Sequence, residues 1–258
     1  LSLRKANLRA MDLRVLTFNI RYDTPNDGPN AWEFRREMAF EMVASLGCHI
    51  VGFQEVLTGQ RGDLEAGLGG YNWIGQGRDV GGDGEQCCLA VQPSFEILDS
   101  GTFWLCPTPE IPGSVGWDAQ LTRICTWAKL ARDGKEFTVF NSHWDHRGQM
   151  ARVESARLLF DRVMSVPGPV LLMGDFNVPP DSEPLTLLTS ALQDTYAVAN
   201  PGCQAGTFHG FGQKLDGARI DYLLASPEFL VIDSRILDQP EGPYPSDHFA
   251  VLGSYELL

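Results

Sequence analysis

Long apolar runs are missing from this chain of 258 residues: none approaches the roughly 18 residues of a bilayer-spanning helix, so no transmembrane helix is expected. No intact signal peptide is present either. The N-terminus LSLRKANLRAMDLRVLTF is basic but has neither an apolar centre nor a small-residue cleavage site. Residues 1–10 read as an extension or a remnant ahead of a natural start at Met11, with a cleaved export signal upstream of Leu1 left open. No C-x-x-C pair occurs among the six cysteines, and Cys87, Cys88, Cys106 and Cys125 stand in apolar, strand-like stretches. Buried free thiols and a cytoplasmic location are expected, without a disulfide framework. No basic run offsets the net charge of −13, from 33 acidic and 20 basic residues. Stable binding to duplex DNA is therefore not expected, because a polyanion needs many cationic contacts. Internal repeats, low-complexity tracts and long linkers are also absent, which leaves a single domain over residues 11–258, expected to be a monomer.

What is present is a dense series of short apolar and β-branched runs. Strands are expected at 13–20, 49–56, 71–77, 86–91, 123–131, 136–144, 169–177, 219–226, 230–237 and 248–257. Helical patterns lie between some of them. WEFRREMAFEMVASLG aligns Phe34, Met38, Met42 and Leu46 on one face and stops at Gly47. QMARVESARLLFDRVMSV aligns Val153, Ala156, Phe160 and Val163. SEPLTLLTSALQDTY opens with a Ser182 cap and has Pro184 in its first turn. The order β, α, β, α, strands, β, α, β, α, strands fits neither a strict βα barrel nor one doubly wound sheet. It fits an α/β (α+β) domain of two packed mixed sheets with helices outside. CPTPEIPGSVGWDAQ, residues 106–120, reads as a long surface loop.

Polar residues gather where the apolar runs end: Asn19 in LTFN, Glu55 in GFQE, His143 in FNSH, Asp175 and Asn177 in LLMGDFN, Asp221 in RIDY, and Asp247 and His248 in SDH. One such carboxylate is ordinary. This set at successive strand ends implies a shared cleft. In Asp175-Phe176-Asn177 the two-residue period of a strand sends both polar side chains to one face and Phe176 to the other.

The ordered stretches TFNIR, GFQEV, NSHW, GDFN, RIDY and SDH resemble the endonuclease/exonuclease/phosphatase superfamily, the DNase I-like fold, over residues 13–258. GWDAQLTRICTW and HWDHRGQMARVESA look most like a bacterial and fungal branch near the deadenylase-like phosphodiesterases. The resemblance implies a four-layer sandwich and a Mg²⁺-dependent hydrolase of phosphoester bonds, with Mn²⁺ as a substitute ion. Glu55 would be the main metal ligand, completed by Asn19 and Asp247, directly or through water. Asp175 would orient or deprotonate the attacking water, and Asn177 would donate to a phosphate oxygen. His248, oriented by Asp221, would stabilise developing charge, and His143 would donate to the phosphate or to the leaving oxygen. Nuclease members often carry Asp where Arg21 stands; Arg21 either binds a substrate phosphate or pairs with Glu55 or Asp175. Trp117, Arg123, Trp144, Asp145 and Arg147 are the other candidate substrate contacts. The substrate class, a nucleic acid end, a nucleotide-like phosphoester, or a sugar or lipid phosphate, stays open. A binding module of the same fold without turnover is the alternative from another class.

TVFNSHWDHRGQ, residues 138–149, suggests a second metal chemistry. His143, Asp145 and His146 look like half of the H-x-H-x-D-H zinc box of metallo-β-lactamase-like hydrolases, with Asn141 where the first histidine belongs. That reading puts the box too late in the chain and leaves Glu55, Asp175 and Asn177 without a role, so the magnesium reading is preferred. His49 and His209 read as a helix-end and a loop histidine.

Overall fold

The computed structural model describes residues 11–239 and 241–258; the extension expected at 1–10 lies outside the described residues. The chain runs β1 (Met11–Asn19), α1 (Trp32–Leu46), β2 (Ile50–Gln54), α2 (Thr58–Gly67), β3 (Asn72–Ile74), β4 (Leu89–Val91), β5 (Glu96–Trp104) and β6 (Ile124–Arg132). It continues with β7 (Lys135–His143), α3 (Gln149–Ser165), β8 (Val170–Asp175), α4 (Glu183–Thr189), β9 (Gln193–Asp194), α5 (Thr195–Ala199), β10 (Asp221–Ala225), β11 (Phe229–Ile236) and β12 (Val251–Leu257).

These strands form two six-stranded sheets, ordered β11-β12-β1-β2-β4-β3 and β5-β6-β7-β8-β10-β9. Each contains one parallel pair, β1–β2 or β7–β8, joined by the crossover helix α1 or α3. Alternation along β1 explains the layering. Leu13 and Val15 enter the core shared by both sheets with Ile50, Val139, Leu171 and Met173. Leu16 and Phe18 face the opposite way, against Phe40 and Val43 of α1. On the far side Phe140 and Leu172 pack with Leu159 and Val163 of α3. The result is helix, sheet, sheet, helix, the four layers expected.

Gly52 marks a close approach of the sheets: a Cβ there would lie 2.5 Å from Met173 Sδ and 2.9 Å from Asn141 Cγ. Asn141 ties the sheets together, donating to the carbonyls of Phe53 and Cys88 (both 2.9 Å) and accepting from Gln54 Nε2 at 2.6 Å. The residue standing where a zinc-box histidine would be is thus a buried cross-sheet link.

Several expectations need correction. β5 carries Glu96, Asp99 and Ser100 and lies at a sheet edge, so it lacks the apolar run by which strands were identified. The single helix expected over 182–196 is two short helices around β9, although Ser182 does cap α4, accepting from Leu185 N. The runs at 71–77 and 86–91 hold only three strand residues each. On α1 the buried residues are Trp32, Arg35, Ala39, Phe40 and Val43, while Phe34 is 63% exposed. The buried face was missed because an arginine lies in its middle.

Arg35 is nearly inaccessible and donates only to backbone: Asn30 O at 2.9 Å, Pro245 O at 3.0 Å, Arg21 O at 2.7 Å, and Ile20 O. Burial pushes its guanidinium down to about 10. It fastens the segment after β1 to the segment before Asp247. Arg35→Met keeps the bulk but strands these carbonyls, and is expected to lower stability by about 3 kcal/mol, as for breaking a buried charge network. Urea unfolding checks this; a loss under about 1 kcal/mol would mean that water replaces the guanidinium without cost.

Candidate active site

The two parallel pairs each release adjacent strand ends at one rim. Asn19 ends β1, Glu55 follows β2, His143 ends β7 and Asp175 ends β8. Asp221 opens β10, antiparallel to β8, and so reaches the same rim opposite Asp175. Asp247 and His248 precede β12, antiparallel to β1, and arrive there for the same reason.

Asn19 bridges the carboxylates: Nδ2 donates to Glu55 Oε1 and to Asp175 Oδ2, each at 3.0 Å, and Oδ1 accepts from Arg21 N at 3.0 Å. Glu55 Oε2 accepts from Tyr22 N at 3.0 Å. Asp175 Oδ1 accepts from Asn177 N at 3.0 Å, leaving Oδ2 3.6 Å from His143 Nε2 and 3.8 Å from His248 Nε2. His248 Nδ1 lies 2.9 Å from Asp221 Oδ2. Possible ligand atoms of Glu55, His143 and Asp175 lie within 4.8 Å of one another, as do those of Asp175, Asp221 and His248. Arg21, Glu55, Trp117 and Asn177 have φ between 52° and 61°, a region that non-glycine residues occupy at a cost. Four of the six such residues among those described are candidates from the sequence, and Glu55 and Asn177 belong to the rim itself.

Electrostatics follow from burial. Asp175 is pushed up to about 7, first by burial and then by the Asp221 charge. Burial likewise raises Asp247. Burial alone would lower His248, but the Asp221 carboxylate beside it, with Asp175 and Asp247 behind, holds its proton well above the usual histidine range. His143 moves the other way, lowered by burial and by the Arg123 cation. The donor set fits a hard divalent ion: Glu55 and Asp175 converge with an amide as their bridge, and Asp247 lies beside Arg21 at 4.0 Å. Direct ligation by Asn19 requires its amide to turn over, since Oδ1 is held by the Arg21 amide.

The other candidates divide. Arg21 pairs with neither Glu55 nor Asp175: Nε and Nη2 bind the Asp27 carboxylate at 3.0 and 3.1 Å. Trp144 is fully buried and stacks on Phe176 at 4.5 Å, so it belongs to the core and offers no face to a substrate. Asp145 is also buried. It accepts from the backbone N–H groups of Arg147, Gly148 and Gln120, fixing the start of α3 against the 106–120 loop. Asp145 is thus taken up by the protein rather than by substrate: against the effect of burial, the three amides and the Arg123 cation hold its carboxyl below its usual range. Arg123 is buried, with its guanidinium spent on His143 Nδ1 and His146 Nδ1, so it is not an open substrate contact. Arg147 is exposed, 3.3 Å from Gln120 Oε1, and Trp117 is half-buried in the loop. His146 faces a cation, Arg123, and Asp145 faces amides; neither joins a candidate metal cluster among the described residues. His49 accepts from Arg14 N, and His209 stacks on Phe249 at 4.0 Å. Missed from sequence were Arg78 and Glu85, an ion pair at 2.8 Å that lines a small cavity with Glu55, Arg123 and His143. Their one signal was a charged residue on each side of the glycine-rich turn DVGGDG.

The profile of the endonuclease/exonuclease/phosphatase family matches residues 16–248. No curated protein matches at a significant level. Among solved structures, an endonuclease/exonuclease/phosphatase from Bacteroides vulgatus is 38% identical with a TM-score of 0.90, covering 96% of this chain and 100% of that one. The mannosyl-6-phosphatase Bt3783 of Bacteroides thetaiotaomicron is 34% identical, TM-score 0.87, over 94% of this chain and 99% of that one. D. rerio TDP2 complexed with a single-strand DNA product shares the fold at 17% identity, TM-score 0.77, over 95% and 98%. With these strand ends, this rim and these relatives, the chain belongs to the endonuclease/exonuclease/phosphatase family.

Proposed function

We propose that the protein is a Mg²⁺-dependent hydrolase of small phosphoesters, with a phosphorylated sugar-like substrate favoured over a nucleic acid. The observation that carries the reading is the convergence of Glu55, Asp175, Asn177, His143 and the Asp221–His248 pair on one rim. Glu55, with Asp175 converging on it and Asp247 as a further carboxylate, would hold the divalent ion, which when bound would supply neutralisation of phosphate charge. Asp175, anchored through Oδ1 by the Asn177 amide and oriented through Oδ2 by Asn19 Nδ2, keeps a second lone pair on Oδ2 to orient the attacking water and take its proton. Water attacks phosphorus in line; the new P–O bond forms as the ester P–O bond breaks, and the departing alkoxide takes a proton from solvent, to which Asp175 returns the one it received. His248, with its proton held by Asp221, donates to the charge that develops. Asn177 and His143 donate to a second phosphate oxygen. A binding module without turnover needs none of this convergence.

The sugar-phosphate preference rests on the 34% identity to the mannosyl-6-phosphatase; TDP2 contributes the fold alone. The net charge of −13 also disfavours a long polyanion. We also propose a monomer and a cytoplasmic location, the latter supported by the buried free thiols of Cys48, Cys87, Cys88, Cys106 and Cys125.

A panel of hexose 6-phosphates, bis(p-nitrophenyl) phosphate, short oligonucleotides and supercoiled plasmid, each with Mg²⁺ and with EDTA, tests the reading. The expected result is EDTA-sensitive release of inorganic phosphate from the sugar esters. Efficient plasmid nicking at about 150 mM salt would overturn the small-substrate assignment.

A further inference from the structure

We propose that Arg123 is a positioning residue that fixes His143 as the Nε2–H tautomer, so that this imidazole can only donate to the substrate. The proposal rests on the phosphoester reading for the identity of the acceptor, but not for the tautomer itself.

Arg123 lies just before β6 and is buried. Its Nη1 is 3.0 Å from His143 Nδ1, and its Nη2 is 3.2 Å from His146 Nδ1. Its Nε lies 3.8 Å from Asp145 Oδ2 and has no hydrogen-bond partner. A guanidinium has donors only and stays charged in proteins. Both imidazoles must therefore turn a lone pair toward it. A neutral ring with its lone pair on Nδ1 carries its proton on Nε2. One buried cation thus sets two histidines three positions apart, which is a physical account of the H-W-D-H spacing that needs no zinc.

The other side of the His143 ring makes the choice consequential. Nε2 lies 3.2 Å from Asn177 Nδ2, and that amide nitrogen also donates to the Trp144 carbonyl at 3.1 Å. Turning the amide over would press its oxygen against the Trp144 carbonyl. The side chain is thus held with nitrogen toward the histidine. Left to Asn177 alone, His143 would present a lone pair at Nε2 and accept. With Arg123 present, two N–H groups face each other, and Asp175 Oδ2, 3.6 Å from Nε2, is too far to accept a good hydrogen bond. A non-bridging phosphate oxygen entering at that point takes both. The arrangement is unfavourable in the free protein and complementary to an oxyanion, which is the condition for differential stabilisation of substrate charge.

The test is long-range ¹H–¹⁵N spectroscopy of the full chain labelled with ¹⁵N-histidine, recorded above the histidine titration range. His143→Gln and His146→Gln assign the signals. In the unsubstituted protein, His143 is expected to show a pyridine-type Nδ1 and a pyrrole-type Nε2. In Arg123→Met the pattern reverses or mixes, and kcat falls by about 10²-fold with little change in KM. Arg123→Lys, which keeps a donor, preserves the pattern and rescues most of kcat. A pyrrole-type Nδ1 in the unsubstituted protein, or an unchanged pattern in Arg123→Met, overturns the proposal. If Arg123→Met does not fold, the unsubstituted and Arg123→Lys spectra still decide. The expected spectra in a protein that hydrolyses no phosphoester would sustain the tautomer and sink the hydrolase reading instead.

Discussion

Glu55→Gln is expected to abolish divalent-ion binding and turnover while leaving the fold intact. Glutamine has the same shape and can still accept from Tyr22 N, so the local backbone keeps its anchor. What disappears is the negative charge that a hard ion needs. Glu55 is half-buried, at positive φ, and ion-paired to no lysine or arginine within 4.0 Å among the described residues. A carboxylate held in a strained conformation without a cationic partner is poorly explained as a structural element. Calorimetric titration with Mg²⁺ should lose its heat, and kcat should fall by at least about 10³-fold, at the upper end for one electrostatic contact. Unchanged Mg²⁺ affinity in a folded variant would remove Glu55 from the metal site.

The second large effect is expected at His248. It is buried against Asp221 and lies 3.8 Å from Asp175, so its donor is aimed at the centre of the rim. His248→Gln should reduce kcat by about 10²–10³-fold with a small change in KM. Asp221→Asn should do nearly as much, because the imidazolium loses the carboxylate that holds its proton. His146→Gln serves as the contrast. Its ring is exposed and bonded to Arg123, so the loss should stay within about threefold, as for a contact outside the transition state. Steady-state kinetics on one phosphoester, with circular dichroism of each variant, separates the cases. A His146→Gln loss in kcat equal to that of His248→Gln would make the exposed histidine a full member of the machinery.

The rim was legible in the sequence because each of its side chains follows an apolar run, and a strand-end polar residue announces itself by that contrast. Asn19, Glu55, His143, Asp175 and His248 all meet at the rim. Residues whose environment depends on distant chain were not legible. Arg123 precedes an apolar strand and reads as a free cation, yet its partners lie 20 and 23 positions away. Asp145 reads as a ligand because it flanks a histidine, but three amides occupy it. Trp144 reads as a stacking surface, and only the position of Phe176 beyond β8 shows that its face is taken. The backbone strain at Glu55 has no signature in residue type, whereas Asn177 carries a weak one, since asparagine enters the left-handed region more readily than other non-glycine residues. β5 failed for the opposite reason: an edge strand exposed along much of its length has little hydrophobic pattern to read.

The order of strands has a consequence for when the site comes into being. The second sheet is continuous in the chain, from β5 to β10, and carries His143, Asp175 and Asp221. The first sheet is closed by the two ends, with Met11 paired to Leu257 and Thr17 to Val251. Asp247 and His248 reach the rim only when that last strand zips onto the first. Such end-to-end pairing is among the slowest events in folding, because nearly the whole chain must loop back before any contact rewards it. The rim is therefore expected to be completed late in folding, when β12 docks on β1 and brings Asp247 and His248 to the residues of the second sheet.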